Sequence, residues 1–92
     1  MPIFKARVFV QLRPSVLDPA GEATRSAAKR LGINGISRLR IGKSVDLEIE
    51  ALDESDVTNK IELISDRLLS NSVIEDWTFE LQPDQSSNNL VK

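Results

Sequence analysis

The spacing of the apolar residues changes repeatedly along the chain, and this alternation is what most narrows the possible folds. Six segments differ in whether apolar residues recur at every second position or at every third to fourth position. They lie at residues 4–12, 20–31, 36–41, 45–49, 57–68 and 73–81. The second and fifth segments have helical spacing, and the other four alternate as half-buried strands do. The sequence therefore predicts the order strand, helix, strand, strand, helix, strand.

This order is typical of a ferredoxin-like α+β domain, in which a four-stranded antiparallel sheet carries both helices on one face. A chain of 92 residues can form one domain with a modest core. We expect that domain to span residues 1–82, and we expect the short polar tail at residues 83–92 to be flexible. Because such folds serve many functions, the function has to be argued from particular sites.

The stretch SVLDPAGEA, residues 15–23, places two carboxylates beside a proline and a glycine. Metal binding, phosphate binding and helix capping are all consistent with that crowding. Asp18 is placed to cap the first helix, Pro19 suits its first position because it has no N–H to leave unpaired, and Glu22 complements the helix dipole. Capping therefore explains these residues without a ligand. We expect one face of this helix to pack on the sheet through Ala20, Ala23, Ala27 and Leu31.

A hairpin is predicted for the third and fourth segments, with Gly42 and Lys43 at its turn. Arg38 and Arg40 occupy the outer positions of its first strand, and the outer positions of the second are acidic. We expect opposite charges to pair across the hairpin, including Arg40 with Glu48. The sequence RIGKS, residues 40–44, lacks the first glycine and the spacing of a phosphate-binding P-loop, so an ATP site is not favoured.

The second helix and the last strand each present one apolar stripe. The helix carries Val57, Ile61, Ile64 and Leu68, and the strand carries Trp77, Phe79 and Leu81. Asp53 or Ser55 is placed to cap the helix. Glu75 and Asp76 form an adjacent acidic pair, which we interpret as solvated edge charges, since a metal site would need further ligands.

The composition argues against several functional classes. The chain has no cysteine and no histidine, so it lacks the commonest general base and the commonest metal ligands. No segment approaches the ~20 apolar residues of a membrane span, and we expect a soluble cytoplasmic protein. Residues 1–50 carry nine Lys or Arg against five Asp or Glu, whereas residues 51–92 carry three against nine. Attraction between these halves, or between subunits, is a simpler explanation of the asymmetry than nucleic-acid binding.

Two functional alternatives remain for a domain of this shape. Acylphosphatase has the same architecture, but its glycine-rich phosphate loop is absent from QLRPSVLDPAG, residues 11–21. A regulatory dimer that senses a small ligand at its subunit interface is harder to exclude, because such domains carry few diagnostic residues.

Three stretches in this order and at these intervals resemble PurS, the small subunit of phosphoribosylformylglycinamidine (FGAM) synthase. They are VFVQLRPSVLDPAGEATRSAAKRLG, ISRLRIGKSVDLEIE and LLSNSVIEDWTFEL. The resemblance implies a subunit without catalytic residues that joins a large ATP-using subunit (PurL) to a glutaminase (PurQ) in purine biosynthesis. It also implies that ATP and magnesium belong to the large subunit, that this chain holds no cofactor or metal, and that ammonia passes between the two enzymes.

PurS proteins form dimers or higher oligomers, so the resemblance implies self-association as well. Phe9 points away from the predicted core and is a reasonable place for a contact of sheet against sheet. The residues that we expect at partner interfaces are Phe9, Arg40, Gly42, Lys43, Asp76 and Trp77.

Overall fold

The computed structural model describes residues 1–82, in which two helices accompany three strands. The elements are β1 (Ile3–Leu12), α1 (Pro19–Arg30), β2 (Lys43–Glu50), α2 (Glu54–Ile64) and β3 (Glu75–Leu81), and a π-helical turn, Ser65–Leu69, follows α2 directly. The predicted α+β class is confirmed. The predicted tail, residues 83–92, lies outside the described residues.

The sheet is antiparallel throughout and has the order β2-β1-β3. Val8 of the central strand lies opposite Val45 on one side and Phe79 on the other, and partners in such a sheet share a face. One face is therefore apolar across all three strands, as the alternation predicts. It presents Phe4, Ala6, Val8, Val10, Val45, Leu47, Ile49, Trp77, Phe79 and Leu81.

The core lies between this apolar face and α2. Its fully buried residues are Ala6, Val8, Val10, Ala51, Val57 and Ile61. Each valine or isoleucine buried in this way stabilises the fold by about 1.5–3 kcal/mol. Asp53 caps α2 by accepting a hydrogen bond from the Asp56 N–H at 2.8 Å, which is one of the two predicted caps.

The end of the second helical segment differs from the predicted stripe. Val57 and Ile61 are buried as expected, but Leu68 is 77% exposed, and Ser65 and Leu69 lie against the core in its place. The cause is the π-helical turn, in which the Ser70 N–H donates to the Ser65 carbonyl five residues back. Because a π-helical turn contains more residues than an α-helical turn, it changes which side chains face the core. The prediction from regular helical spacing that Leu68 is buried is therefore wrong.

Helix α1 begins as predicted but packs differently. Asp18 accepts the Gly21 N–H, Pro19 is the first helical residue, and Gly32 has a φ of 90° at the stop. The predicted packing of its apolar face on the sheet is wrong: Gly21 is the only buried residue of the helix, and Leu31 beyond its end is 80% exposed. No residue between positions 13 and 42 belongs to the core cluster.

The predicted hairpin is also corrected, because residues 33–42 form no strand and do not fold back along β2. Residues 33–42 instead lie outside the sheet, and residues 40 and 41 contact the part of the chain that follows β1. Two polar contacts hold it there, from the Ile41 N–H to the Asp18 carboxylate and from the Arg40 guanidinium to the Arg13 carbonyl. We refer to residues 13–42 as the arm, and to residues 1–12 and 43–82 as the body.

Candidate partner-binding cleft

A cleft of about 240 Å³ lies where the arm leaves the sheet. Its lining residues come from the ends of β1 and β3 and from both sides of the arm. They are Phe9, Gln11, Leu12, Pro14, Arg38, Arg40, Ile41, Asp76, Trp77 and Thr78. The structure thus brings together four of the predicted interface residues, Phe9, Arg40, Asp76 and Trp77, while Gly42 and Lys43 lie beside the cleft rather than in its lining.

Arg13 connects the arm to the start of β3. Its Nε donates to Asp76 Oδ1 at 3.1 Å, its Nη2 donates to the Ser72 carbonyl at 2.6 Å, and its backbone N–H donates to the Ile74 carbonyl at 2.8 Å. The predicted solvation of Asp76 is therefore incomplete, since its carboxylate has a cationic partner. Sequence reasoning missed Arg13, because nothing in the local pattern shows which strand lies beside it.

Arg40 joins the two ends of the arm by a hydrogen bond. Its Nη2 donates to the Arg13 carbonyl at 2.8 Å, so the predicted pairing of Arg40 with Glu48 does not occur. The ion pair that crosses from β1 to β2 joins Arg7 to Asp46 instead, with Nε and Oδ1 2.7 Å apart. That guanidinium lowers the pKa of Asp46 by hydrogen bonding and by its charge.

Asp18 fixes both sides of the arm at once. One carboxylate oxygen accepts the Gly21 N–H at 2.9 Å, and the other accepts the Ile41 N–H at 2.8 Å. The pKa of Asp18 lies below its ordinary value because these N–H groups, Ile41 first, stabilise the ionised carboxylate, with a smaller contribution from the charge of Arg40. Asp18 is therefore more than the cap of a helix, since it also ties the extended segment to α1.

The two aromatic residues of the cleft differ in how they are held. The Trp77 Nε1–H donates to Asp66 Oδ1 at 2.7 Å, and the indole centroid lies 6.3 Å from that of the Phe79 ring, so the π-helical turn and the core fix its position. Phe9 lies on the opposite face of the sheet beside Thr78 and is half-buried without α2 above it. Of the two aromatic residues, Phe9 is thus the one left available for a contact outside the chain.

The chemistry that this cleft offers is that of recognition. Its lining contains arginines, aromatic rings and a carboxylate that is already paired, with no histidine or cysteine among them. Within residues 1–82, no group of three or more potential ligands is arranged to hold a metal ion. None of the helices in the same residues is long and apolar enough to cross a membrane. Fold and cleft together define a small α+β binding domain.

Comparison with known proteins identifies the family. Residues 5–83 match the family described as "PurS: Phosphoribosylformylglycinamidine (FGAM) synthase". The PurS subunit of FGAM synthase from Synechocystis is 46% identical over 78 residues, which are 85% of this chain and 78% of that relative. The Bacillus subtilis PurS subunit is 38% identical over 80 residues, 87% of this chain and 94% of that relative.

Solved structures agree with the sequence comparison. The B. subtilis PurS structure superposes with a TM-score of 0.78 at 38% identity, covering 86% of this chain and 98% of that one. A chain in the structure of PurLQS from Thermotoga maritima superposes with a TM-score of 0.82 at 32% identity, covering 89% of this chain and 100% of that one. The chain belongs to the PurS family of FGAM synthase subunits.

Proposed function

We propose that this chain is the non-catalytic small subunit of FGAM synthase in purine biosynthesis. It joins the glutaminase, PurQ, to the ATP-dependent synthetase, PurL, and supports the passage of ammonia between them. The complex converts formylglycinamide ribonucleotide, glutamine and ATP into FGAM, glutamate, ADP and phosphate. The observation that carries this proposal is the likeness, over the whole of the neighbouring chain, to a structure of PurLQS.

The chemistry explains why a protein without reactive groups is useful here. Ammonia is largely protonated at neutral pH and is then no nucleophile, so a protected route that excludes water and holds the partners together raises the rate of its capture. In this proposal the large subunit binds ATP and magnesium, and this chain supplies only surfaces that contact its partners. The cleft is consistent with that assignment because two of its charged groups, Asp76 and Arg40, are engaged in holding the arm.

The proposal includes the domain and its association. Residues 1–82 act as one PurS-like domain, and the domain self-associates as a dimer or a higher oligomer.

The interface residues of the proposal are those expected from the sequence, Phe9, Arg40, Gly42, Lys43, Asp76 and Trp77. Their surroundings suggest two different roles, contact with a partner and shaping of the cleft. Phe9 and Lys43 are available to touch a partner, since Phe9 lies away from the core and Lys43 is exposed. Arg40, Asp76 and Trp77 act mainly by shaping the cleft, because each has a partner inside the chain.

The decisive test reconstitutes the synthase. PurL and PurQ are mixed with formylglycinamide ribonucleotide and ATP, with or without this chain, and either glutamine or concentrated ammonium is supplied. We expect glutamine-dependent FGAM only when the chain is present, and ammonium-dependent FGAM in both cases. If the chain changes neither rate, the assignment is wrong, and screening for a small ligand that raises its melting temperature tests the regulatory-dimer alternative.

A charge reversal tests the interface. Lys43→Glu should weaken assembly with PurL and PurQ in sedimentation experiments, whereas Arg67→Glu makes the same charge change on the exposed side of the π-helical turn and should not. Circular dichroism and the oligomeric state of the isolated variant separate loss of docking from loss of fold. Equal assembly of the two variants would remove Lys43 from the interface.

A further inference from the structure

The dipeptide Asn34-Gly35 links helix α1 to the extended part of the arm. Both residues are exposed, and neither belongs to a helix or a strand. The residues on either side of this dipeptide are held by hydrogen bonds, as the next two paragraphs show. The dipeptide itself is a short link between two fixed points of the backbone.

The first fixed point is the end of α1. The Ile33 N–H donates to the Ala28 carbonyl at 3.0 Å. The Gly32 N–H donates to the Lys29 carbonyl, also at 3.0 Å, and Gly32 has a φ of 90°. This pair of bonds is the Schellman arrangement that ends many helices. It determines the path of the backbone as far as Ile33.

The second fixed point is Ile36. Its carbonyl accepts a hydrogen bond at 3.0 Å from Nη1 of Arg25, a residue of α1 that is also paired with Glu22. Among residues 1–82, neither the Asn34 side chain nor the Gly35 N–H has a hydrogen-bond partner. The two groups therefore meet water and are not held apart by bonds to other residues.

The backbone nitrogen of Gly35 is also unhindered. Gly35 has a φ of 95°, and a Cβ built on it would have no atom within 4 Å outside its chain neighbours. Glycine has no side chain to shield this nitrogen or to restrict the backbone on either side of it. The nitrogen can therefore approach the side-chain carbonyl carbon of Asn34.

We propose that Asn34 is a site of spontaneous deamidation. The Gly35 nitrogen loses its proton to water and forms a bond to Cγ of Asn34, which closes a five-membered succinimide ring. The bond from Cγ to Nδ2 breaks, and the amide nitrogen takes up a proton and leaves as ammonia. One water molecule then opens the ring at either carbonyl. The product is aspartate or isoaspartate, and no oxidant or reductant takes part.

The charges around Asn34 favour both the attack and its product. A cavity of about 170 Å³ is lined by Arg25, Lys29, Ile33, Asn34, Gly35 and Ile36. Its two cations stabilise the amide anion that attacks Cγ and the carboxylate that hydrolysis leaves. In the part of the chain that the structure describes, Lys29 has no ion-pair partner, so it can pair with the new carboxylate.

The two products affect the arm differently. Each makes the formal net charge of −2 more negative by one. Only isoaspartate lengthens the main chain, because its backbone runs through Cβ. The added atom lies between Ile33 and Ile36, which are both held, so it displaces the Ile36 carbonyl from Arg25 and loosens the start of the extended segment. This inference concerns the isolated chain and does not depend on its role in the synthase.

Timed incubation of the full chain tests the site. The folded protein is kept at neutral pH and physiological temperature, samples are digested in acid with pepsin, and the peptides are weighed by mass spectrometry. The peptide that contains Asn34 should gain the mass difference between a hydroxyl and an amino group. We expect this conversion to be at least about tenfold faster than at Asn59 or Asn71, because each of these precedes a residue with a Cβ.

Isoaspartate in the same samples is detected by a methyltransferase specific for it, with labelled S-adenosylmethionine. Label in the peptide that contains Asn34 supports the succinimide route. A mass gain without label would contradict that route, and no mass gain over several weeks would overturn the proposal.

Unfolding the chain separates the effect of the fold from that of the dipeptide. In guanidinium chloride, Asn34 should react within about fivefold of its rate in the folded chain, because local opening at an unbonded loop costs almost no free energy. Asn59 lies in α2 and should react at least about tenfold faster when unfolded, because helical hydrogen bonds protect it. A larger acceleration at Asn34 would show that the fold protects it, and would contradict the proposal.

Substitutions at Asn34 provide the controls. Asn34→Gln keeps an amide but would need a six-membered ring, so it should lose both the mass gain and the acidic form on anion exchange, with an unchanged circular dichroism spectrum. Asn34→Asp has the charge of the product without the extra backbone atom. The purified isoaspartate form should melt at a lower temperature than Asn34→Asp. Equal melting would contradict the loosening of the arm, and a mass gain that persists in Asn34→Gln would place the reaction elsewhere.

Discussion

The arm and the body are held in shape by different forces. The body buries valine, isoleucine and alanine side chains between α2 and the apolar face of the sheet, so the hydrophobic effect stabilises it within one chain. The arm buries almost no apolar surface and is positioned by hydrogen bonds that Asp18 accepts and that Arg13 and Arg40 donate. The comparison shows that a segment can have a defined path without contributing to the core, and such a segment is suited to meeting a partner.

The largest effect should come from a cavity in the body. Ile61→Ala removes a fully buried side chain and should lower the free energy of unfolding by about 2–5 kcal/mol in urea denaturation. The matched control in the same helix is Leu63→Ala, which removes a mostly exposed side chain and should change stability by at most about 0.5 kcal/mol. Equal losses would mean that burial does not separate these positions.

The arm should be most sensitive at Gly21. A Cβ at this position would overlap the Leu39 carbonyl oxygen, which is backbone and cannot move aside by changing rotamer. Gly21→Ala should therefore destabilise the chain by about 1–3 kcal/mol, despite the higher helix propensity of alanine.

Ser26→Ala, at an exposed position of α1, is the control for the Gly21 variant. It should be neutral or slightly stabilising. A neutral Gly21→Ala in the same urea denaturation series would show that the arm does not hold its extended segment against α1.

A smaller effect of opposite sign is expected in the π-helical turn. The Ser65 hydroxyl is buried and has no hydrogen-bond partner in the described part of the chain. Ser65→Ala should raise the free energy of unfolding by about 1 kcal/mol, because it removes an unsatisfied polar group from the core. Ser70→Ala, which loses a hydrogen bond to the Ser65 carbonyl, should be destabilising in the same assay.

The smallest expected effect is the gradual loss of folding stability as the pH falls. The lowered pKa values of Asp18 and Asp46 mean that their ionised forms favour the folded state, so their contribution is complete above the ordinary carboxyl pKa of about 3.9 and is lost as the pH falls toward the folded-state values. Asp18→Asn should flatten the acid side of a stability–pH profile.

Added salt should change the stability contribution of Asp46, in the body, more than that of Asp18, in the arm. The pKa of Asp18 is lowered mainly by backbone N–H groups, whereas that of Asp46 is lowered by the exposed Arg7, whose charge salt screens. At high salt, Asp46→Asn should therefore cost less than at low salt, while Asp18→Asn should be nearly unaffected. An equal salt response of the two variants would contradict this assignment of causes.

The features that could be predicted from the sequence depend on residues close together in the chain. Alternation located the three strands, and Asp18, Pro19 and Asp53 marked the helix starts, because strand pleat and helix capping depend on residues close together in the chain. Four of the expected interface residues do line one cleft, but their contact with a partner stays a prediction. The contacts that build the cleft, from Arg13 to Asp76 and from Trp77 to Asp66, join residues 63 and 11 positions apart and had no local signal.

The sequence by itself determined three strands and two helices, where the helices begin, and which sheet face is apolar, but it also predicted a strand at residues 36–41 that the structure does not form. Only the tertiary structure decided that α1 lies off the core, that residues 36–41 extend rather than fold back, and that a π-helical turn exchanges Leu68 for Leu69. The physical reason is that periodicity specifies what surface a segment needs to bury, but not which surface covers it. That choice depends on residues that lie far apart in the chain, which no local pattern shows.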